Sequence, residues 1–217
     1  MTDSPESEVQ TERTQEKTRD GWPLDNYPSE LECDVITESG ERLYMRPIRP
    51  DDAEKLVDFH DLLSPGAIYQ RYFSFHPELS TKEVAHLTQV DYYDRLAFVL
   101  EDGDLLVAVG RYDRIPGTDQ AEAAFLVTDE YQRDGIGLLL LDHLADAALQ
   151  RGISTFVAET QAENRGMMGV FHESGFPVHS TLDDEIFYVS FPIEPTETSI
   201  ARRGERQARA QARADAT

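Results

Sequence analysis

The sequence predicts one α/β domain (α+β by some schemes), a central mixed sheet flanked by helices. Three observations carry this. Short apolar strands alternate with helical stretches along the middle of the chain. A glycine-containing segment, Gln132-Arg133-Asp134-Gly135-Ile136-Gly137, joins an apolar strand to a long apolar helix. The 217 residues fill one well-buried domain with tails more comfortably than two domains.

The elements follow in order. Residues 1–30 are rich in Glu, Asp, Thr and Ser and hold almost no apolar cluster, so they read as a disordered acidic tail. Segments 33–37 and 43–48 form a first hairpin about Ser39-Gly40. Pro50-Asp51-Asp52 opens a helical region, with proline near the first position and acids in the first turn. Helical patches follow over 51–62, 65–73 and 80–88. Strands are expected over 96–101, 105–114 and 120–128, the first two joined at Asp102-Gly103-Asp104. A helix over 135–150 presents Leu138 to Leu141, Leu144 and Ala148 to the interior. Strand 153–159, helix 164–174 and a closing strand 184–191 complete a domain over 31–193. Residues 194–217 space Arg202, Arg203, Arg206, Arg209 and Arg213 among alanines, which reads as a disordered or frayed basic helix.

Composition excludes several functions. With 42 acidic against 20 basic residues the net charge is -22, which disfavours nucleic acid and anionic membranes. Only Lys17, Lys55 and Lys82 are lysines. So many carboxylates facing water fit a cytoplasm of multimolar salt, where they are screened, with an ordinary acidic bacterial protein as the alternative. Cys33 is the sole cysteine, so no disulfide framework or cysteine zinc site is expected. No apolar run approaches the roughly 20 residues that span a bilayer, and the polar N-terminus is unlike a secretory signal. A cytoplasmic protein without a metal is the expectation, its oligomeric state open.

The chemistry concentrates in two segments. Gly135 and Gly137 allow close backbone approach, and a helix beginning there directs free N–H groups at whatever lies above it. That suits a diphosphate. A second segment, ENRGMMGVFHESGF, puts Asn164 eleven residues before Gly175-Phe176. Taken singly, the glycines serve a turn and close helix packing, and Asn164 an ordinary helix cap. Together, at this spacing, the two segments resemble the coenzyme A site of the GNAT superfamily of N-acetyltransferases. The resemblance implies a sheet of six to seven strands, splayed at the cofactor. It implies acetyl-CoA as cosubstrate, held by backbone from Gln132, Arg133, Asp134, Gly135, Ile136, Gly137 and Leu138. Val127 would offer strand backbone to the pantetheine arm, Asn164 would bond the arm, and Phe171 would pack along it. Asp134 departs from the basic residue common at its position and brings a negative charge beside the diphosphate.

Acetylating an amine requires a base, because a lysine ammonium titrates near 10.4. Strand alternation sets Glu122 with Ala124, Leu126 and Thr128 on one face. A carboxylate among apolar neighbours would be desolvated and suited to the task; otherwise Glu122 is a strand-end residue in solvent. The acid that serves the leaving thiolate in many GNAT enzymes is a tyrosine seven residues after the asparagine. Here that residue is Phe171, and His172 points elsewhere on the helix.

RPIRPDD, LSPGAIYQRYFSFHPELS and LTQVDYYDRLAFV resemble the acetyltransferase domain of Pat-type protein lysine acetyltransferases over residues 42–192. That branch carries Phe at the position of Phe171 and uses the glutamate matching Glu122 as base. Pro65, Tyr69, Arg71, Tyr72 and Phe73 would cap the acceptor side. The expected acceptor is a protein lysine. A small amine or amino acid is the alternative, and a non-catalytic acyl-CoA sensor the third reading.

Overall fold

The computed structural model describes residues 26–74 and 78–216. Residues 1–25 of the expected acidic tail lie outside the described residues, as do Phe75, His76 and Pro77. Tyr27 lies inside that expected tail and is nonetheless docked. Its ring meets Tyr92 edge-on at 5.5 Å, and the Arg49 guanidinium lies 4.5 Å above it.

Eight strands make one sheet: β1 (Cys33–Ile36), β2 (Arg42–Pro47), β3 (Arg95–Asp102), β4 (Leu105–Arg114), β5 (Gln120–Val127), β6 (Thr155–Gln161), β7 (His179–Asp183) and β8 (Ile186–Pro192). Their order is β1-β2-β3-β4-β5-β6-β8-β7. Every neighbouring pair is antiparallel except β5 and β6, which run parallel. The strand beyond the expected seven is β7. It is an edge strand whose five residues are all exposed, so it lacks the apolar alternation that marks a half-buried strand.

Helices cover both faces. α1 (Ala53–Asp61), α2 (Pro65–Tyr72) and α3 (Thr81–Thr88) precede the sheet's centre in sequence, and α4 (Ile136–Leu149) and α5 (Arg165–Glu173) follow it. Adjacent residues of β4 show the division. Gly110 faces α4 so closely that an added Cβ would stand 3.1 Å from the Leu140 side chain. Val109 and Arg111 line a hollow on the other face with Leu56, Phe59 and Tyr72. The α4 helix buries Leu140, Leu141 and Leu144 completely, which is why its sequence is apolar nearly all round.

One buried ionic cluster pins α1 to the sheet. Arg46 donates to both Asp52 oxygens at 2.7 Å and to both Glu101 oxygens at 3.0 and 2.8 Å, and Lys55 adds a bond to Glu101 at 2.7 Å. Burial alone would push the Glu101 carboxyl up; the Arg46 and Lys55 hydrogen bonds outweigh it and hold the group below its usual range.

The C-terminal segment differs from the sequence expectation. Residues 194–217 were expected to fray, yet Glu197–Ala214 form an 18-residue helix, α6, capped by Thr196. Its arginines are bound to the domain. Arg203 reaches Asp146 at 2.7 Å, Arg206 reaches Asp142 at 2.7 Å, and Arg202 and Arg206 donate to the last carbonyls of α5 at His172 and Glu173. Asp142 and Asp146 sit one turn apart on α4, so one acidic face receives one basic face.

Candidate functional site

The site begins where the sheet comes apart. β5 and β6 pair only over Gln120–Thr155, Ala121–Phe156 and Glu122–Val157. Beyond Glu122 the strands diverge and leave a cleft of about 640 Å³. Its walls are β5 from Glu122 to Val127, β6 from Ala158 to Thr160, the α2 end from Gln70 to Phe73, and the start of α5. The glycine loop lies at its wide end, with Gln132, Arg133, Gly135, Ile136, Gly137 and Leu138 all along the wall.

Backbone conformation explains the loop's composition. Arg133 and Gly135 both take left-handed φ, +64° and +74°. Gly135 then caps α4, whose first N–H groups have no intrahelical acceptor and open toward the cleft. A Cβ on Gly137 would stand 2.8 Å from the Val170 Cγ2, so glycine here lets α4 and α5 approach. A Cβ on Gly135 would lie 2.6 Å from the Glu38 Cγ, since the β1–β2 turn leans over the loop.

That turn resolves the anomaly of Asp134. Its carboxylate does not face the cleft; it accepts the Ser39 N–H at 2.5 Å and the Ser39 hydroxyl at 2.8 Å, while its carbonyl accepts the Glu38 N–H at 3.1 Å. Its negative charge is therefore bonded to the hairpin, and Asp134 drops out of the side chains lining the cleft. α6 braces the same turn: Arg213 donates to the Glu38 carbonyl, and Gly40 packs on the Arg213–Ala214 backbone. Sequence reasoning missed this contact, as it did Glu38 and Tyr131 as lining residues. No local pattern links a hairpin to a loop 95 positions away.

The remaining expected site residues sort as follows. Glu122 lines the cleft at the last β5–β6 pair, but its side chain is exposed. The expected burial among apolar neighbours is not found: Glu122 is flanked by Asp113 of β4 and Val157 of β6, yet the next residues on its face, Ala124 and Leu126, border the open cleft and are only half-buried. The Val127 carbonyl accepts the Gln132 side-chain amide at 3.2 Å, which ties strand to loop. Asn164 caps α5 through Oδ1, which accepts the Met167 N–H at 3.0 Å. Phe171 is fully buried, its ring 5.5 Å from Phe191, and forms the cleft floor with no hydroxyl. His172 is exposed on the outer face of α5.

The α2 cap carries its own charge. Gln70, Arg71, Tyr72 and Phe73 line the cleft opposite α5, while Tyr69 is half exposed beyond it. Burial first, and then the Arg111 guanidinium, lower the Arg71 pKa, against the pull of Tyr72, Glu122 and Asp113. Among the described residues, no group of three or more His, Cys, Asp and Glu side chains is arranged to hold a metal ion. No described helix is long and apolar enough to cross a membrane. Cys33, on β1, is not among the residues lining the cleft.

A helix mouth rich in free N–H groups, beside a slot between two open strands, fits a diphosphate joined to a thin amide-bearing arm. Comparison with known proteins agrees. Residues 65–176 match the Acetyltransferase (GNAT) family. An acetyltransferase of Pseudomonas aeruginosa is 31% identical over 151 residues, covering 68% of this chain and 81% of that one. The acetyltransferase Pat of Mycolicibacterium smegmatis is 32% identical over 145 residues, covering 65% of this chain and only 43% of the longer relative. The crystal structure of the GNAT domain of S. lividans PAT superposes with a TM-score of 0.73 at 37% identity, covering 76% of this chain and 99% of that one. The chain belongs to the GNAT acetyltransferase family and is an acetyl-CoA-dependent acetyltransferase.

Proposed function

We propose that this enzyme acetylates lysine side chains of proteins, with Glu122 as general base and the diphosphate of acetyl-CoA on the loop from Gln132 to Leu138. The observation that carries the reading is the position of Glu122. It is the last β5 residue paired with β6, at the narrow end of the cleft, where the acceptor side under α2 meets the slot between the strands.

Acetyl-CoA supplies the acetyl group as a thioester. The chain's own residues do the rest. The N–H groups opening α4 hold the diphosphate without dependence on side-chain charge. The backbone of β5 past Glu122, unpaired on the β6 side, offers hydrogen bonds to the arm. Glu122 takes a proton from the incoming ammonium, directly or through one water, so that a neutral nitrogen attacks. Exposed in the free protein, this carboxylate is desolvated only once cosubstrate and acceptor cover it. Phe171 gives no proton to the departing sulfur, so water serves there. Transfer is direct, since Cys33 lies outside the cleft.

Measuring kcat/KM on a lysine peptide tests the assignment. Glu122→Gln is expected to lower it by about 10²- to 10⁴-fold while acetyl-CoA affinity stays within twofold. An unchanged rate would remove Glu122 from the reaction.

A second reading is favoured by one observation: Arg71 lines the acceptor side. An amino acid acceptor would set its carboxylate against this guanidinium. Mass spectrometry of host proteins and metabolites incubated with labelled acetyl-CoA separates the two, by whether lysines or free amino acids carry label. The acidic surface supports a working place in a cytoplasm of concentrated salt. Raising KCl from 0.1 to 3 M is then expected to raise the melting temperature; a flat or falling response would favour an ordinary acidic protein.

A further inference from the structure

Thr160 is fully buried, 1% exposed, and its hydroxyl oxygen has no hydrogen-bond partner. Leaving such a group unsatisfied is costly, and native interiors rarely tolerate it without a reason. The surroundings supply one. Thr160 is on β6 three residues past Val157, the last residue paired with β5, so the strand that would have flanked it has moved away. It lines the cleft with Ala158 and Glu159.

Alternation puts Thr160 on the same face as Phe156 and Ala158. Phe156 meets Phe191 at 6.1 Å and Phe191 meets Phe171 at 5.5 Å, which identifies this as the face covered by α5. The hydroxyl therefore stands where β6, α5 and the open slot converge. Its other two same-face neighbours, Phe156 and Ala158, are apolar and offer it no side-chain partner.

We propose that Thr160 is a cosubstrate-binding residue whose hydroxyl bonds a secondary amide of the pantetheine arm. The inference rests on the cleft taking acetyl-CoA as described above. A hydroxyl suits this task because it donates to an amide carbonyl or accepts from an amide N–H with equal ease. The buried hydroxyl is thus a partner held ready for the arm, and its unsatisfied state in the free protein is the cost of that readiness.

The test separates binding from packing. Thr160→Val exchanges the hydroxyl for a methyl group of similar size, and Thr160→Ser keeps the hydroxyl. Calorimetric titration of each with coenzyme A, and with adenosine 3′,5′-bisphosphate, which lacks the arm, reads the contact. For Thr160→Val the dissociation constant of coenzyme A is expected to rise about fivefold, the worth of one ordinary hydrogen bond. That of the bisphosphate is expected to stay the same, and the ligand-free melting temperature to rise. Thr160→Ser is expected to bind coenzyme A within twofold of the parent. Equal coenzyme A affinity in the valine variant overturns the proposal, as does an equal loss for both ligands, which would report general damage. Failure of the parent protein to bind coenzyme A would instead overturn the assignment of the cleft itself.

Discussion

Ser39 and Asp134, 95 positions apart, are joined by two hydrogen bonds in which both donors belong to Ser39, its N–H at 2.5 Å and its hydroxyl at 2.8 Å. The pairing turns an acidic side chain away from the helix mouth and fastens the first hairpin to the glycine loop. Asp134→Ala is expected to lower the unfolding free energy by about 1 to 2 kcal/mol, since charge-assisted bonds are lost but at an exposed site. Urea unfolding reads the first effect. Coenzyme A titration is expected to show weaker binding as well, because the loop loses its brace; tighter binding would mean that the charge mattered more than the brace.

Gly137→Ala tests the closeness of α4 and α5. The new methyl would stand 2.8 Å from the Val170 Cγ2, and a β-branched side chain cannot swing far. A loss of about 1 to 3 kcal/mol is expected, as for other overpacked contacts. Adding Val170→Ala makes room and is expected to recover much of the loss in the same unfolding assay.

Arg206 and Asp142 form an ion pair about nine-tenths buried. Burial pushes the Asp142 carboxyl up, and the pull of Arg206 and Arg203 does not fully offset it. Such a pair adds little over an apolar pair, yet breaking it leaves the buried Asp142 charge with the longer Arg203 contact at 3.8 Å in its place. Arg206→Leu alone is expected to cost about 3 kcal/mol, and the double variant Arg206→Leu/Asp142→Leu to return to near the parent value. If the single variant unfolds like the parent, α6 is not held by this pair.

His143 gives the protein an acid-sensitive element. It lies on α4 near Arg203 and Asp146, and burial, followed by the Arg203 charge, brings its pKa down to about 4. In the unfolded chain it would titrate near 6.5. The unfolded state therefore binds a proton first as pH falls, and the stability contributed by the neutral ring is complete above about pH 6.5 and lost on descent toward pH 4. The loss amounts to at most about 3 kcal/mol. His143→Phe is expected to flatten the stability profile over that window, read by denaturant unfolding at successive pH values.

Much of this architecture was legible in the sequence, and the exceptions have physical causes. β5 and α4 were readable because they sit in the core and their apolar density says so. β7 was not, being an exposed edge strand. Its turn, Asp184-Glu185 with φ of +42° and +68°, adopts the left-handed pair usual for Asn-Gly without containing either residue. α6 looked frayed because the face it buries is built from arginines rather than leucines, and no local pattern joins them to their carboxylate partners on α4. Glu122 lines the cleft, and of the two environments the sequence left open for it, an apolar face or a strand end in solvent, the structure has the exposed one. Alternation reports which way a side chain points, not whether anything is packed over that face. The Ser39–Asp134 contact is tertiary and leaves no local trace.

The parting of β5 and β6 has a consequence for solubility. It creates two naked strand borders in the middle of a sheet, the kind of surface that recruits foreign β-segments when it lies on the outside. Here the gap is roofed by α2 and α5 and closed at one end by the Glu122–Val157 pair. A seam roofed on both sides favours a slender chain bearing spaced amides over a polypeptide ribbon with bulky side chains. The same enclosure that selects the guest thus shields the cell from a sticky border.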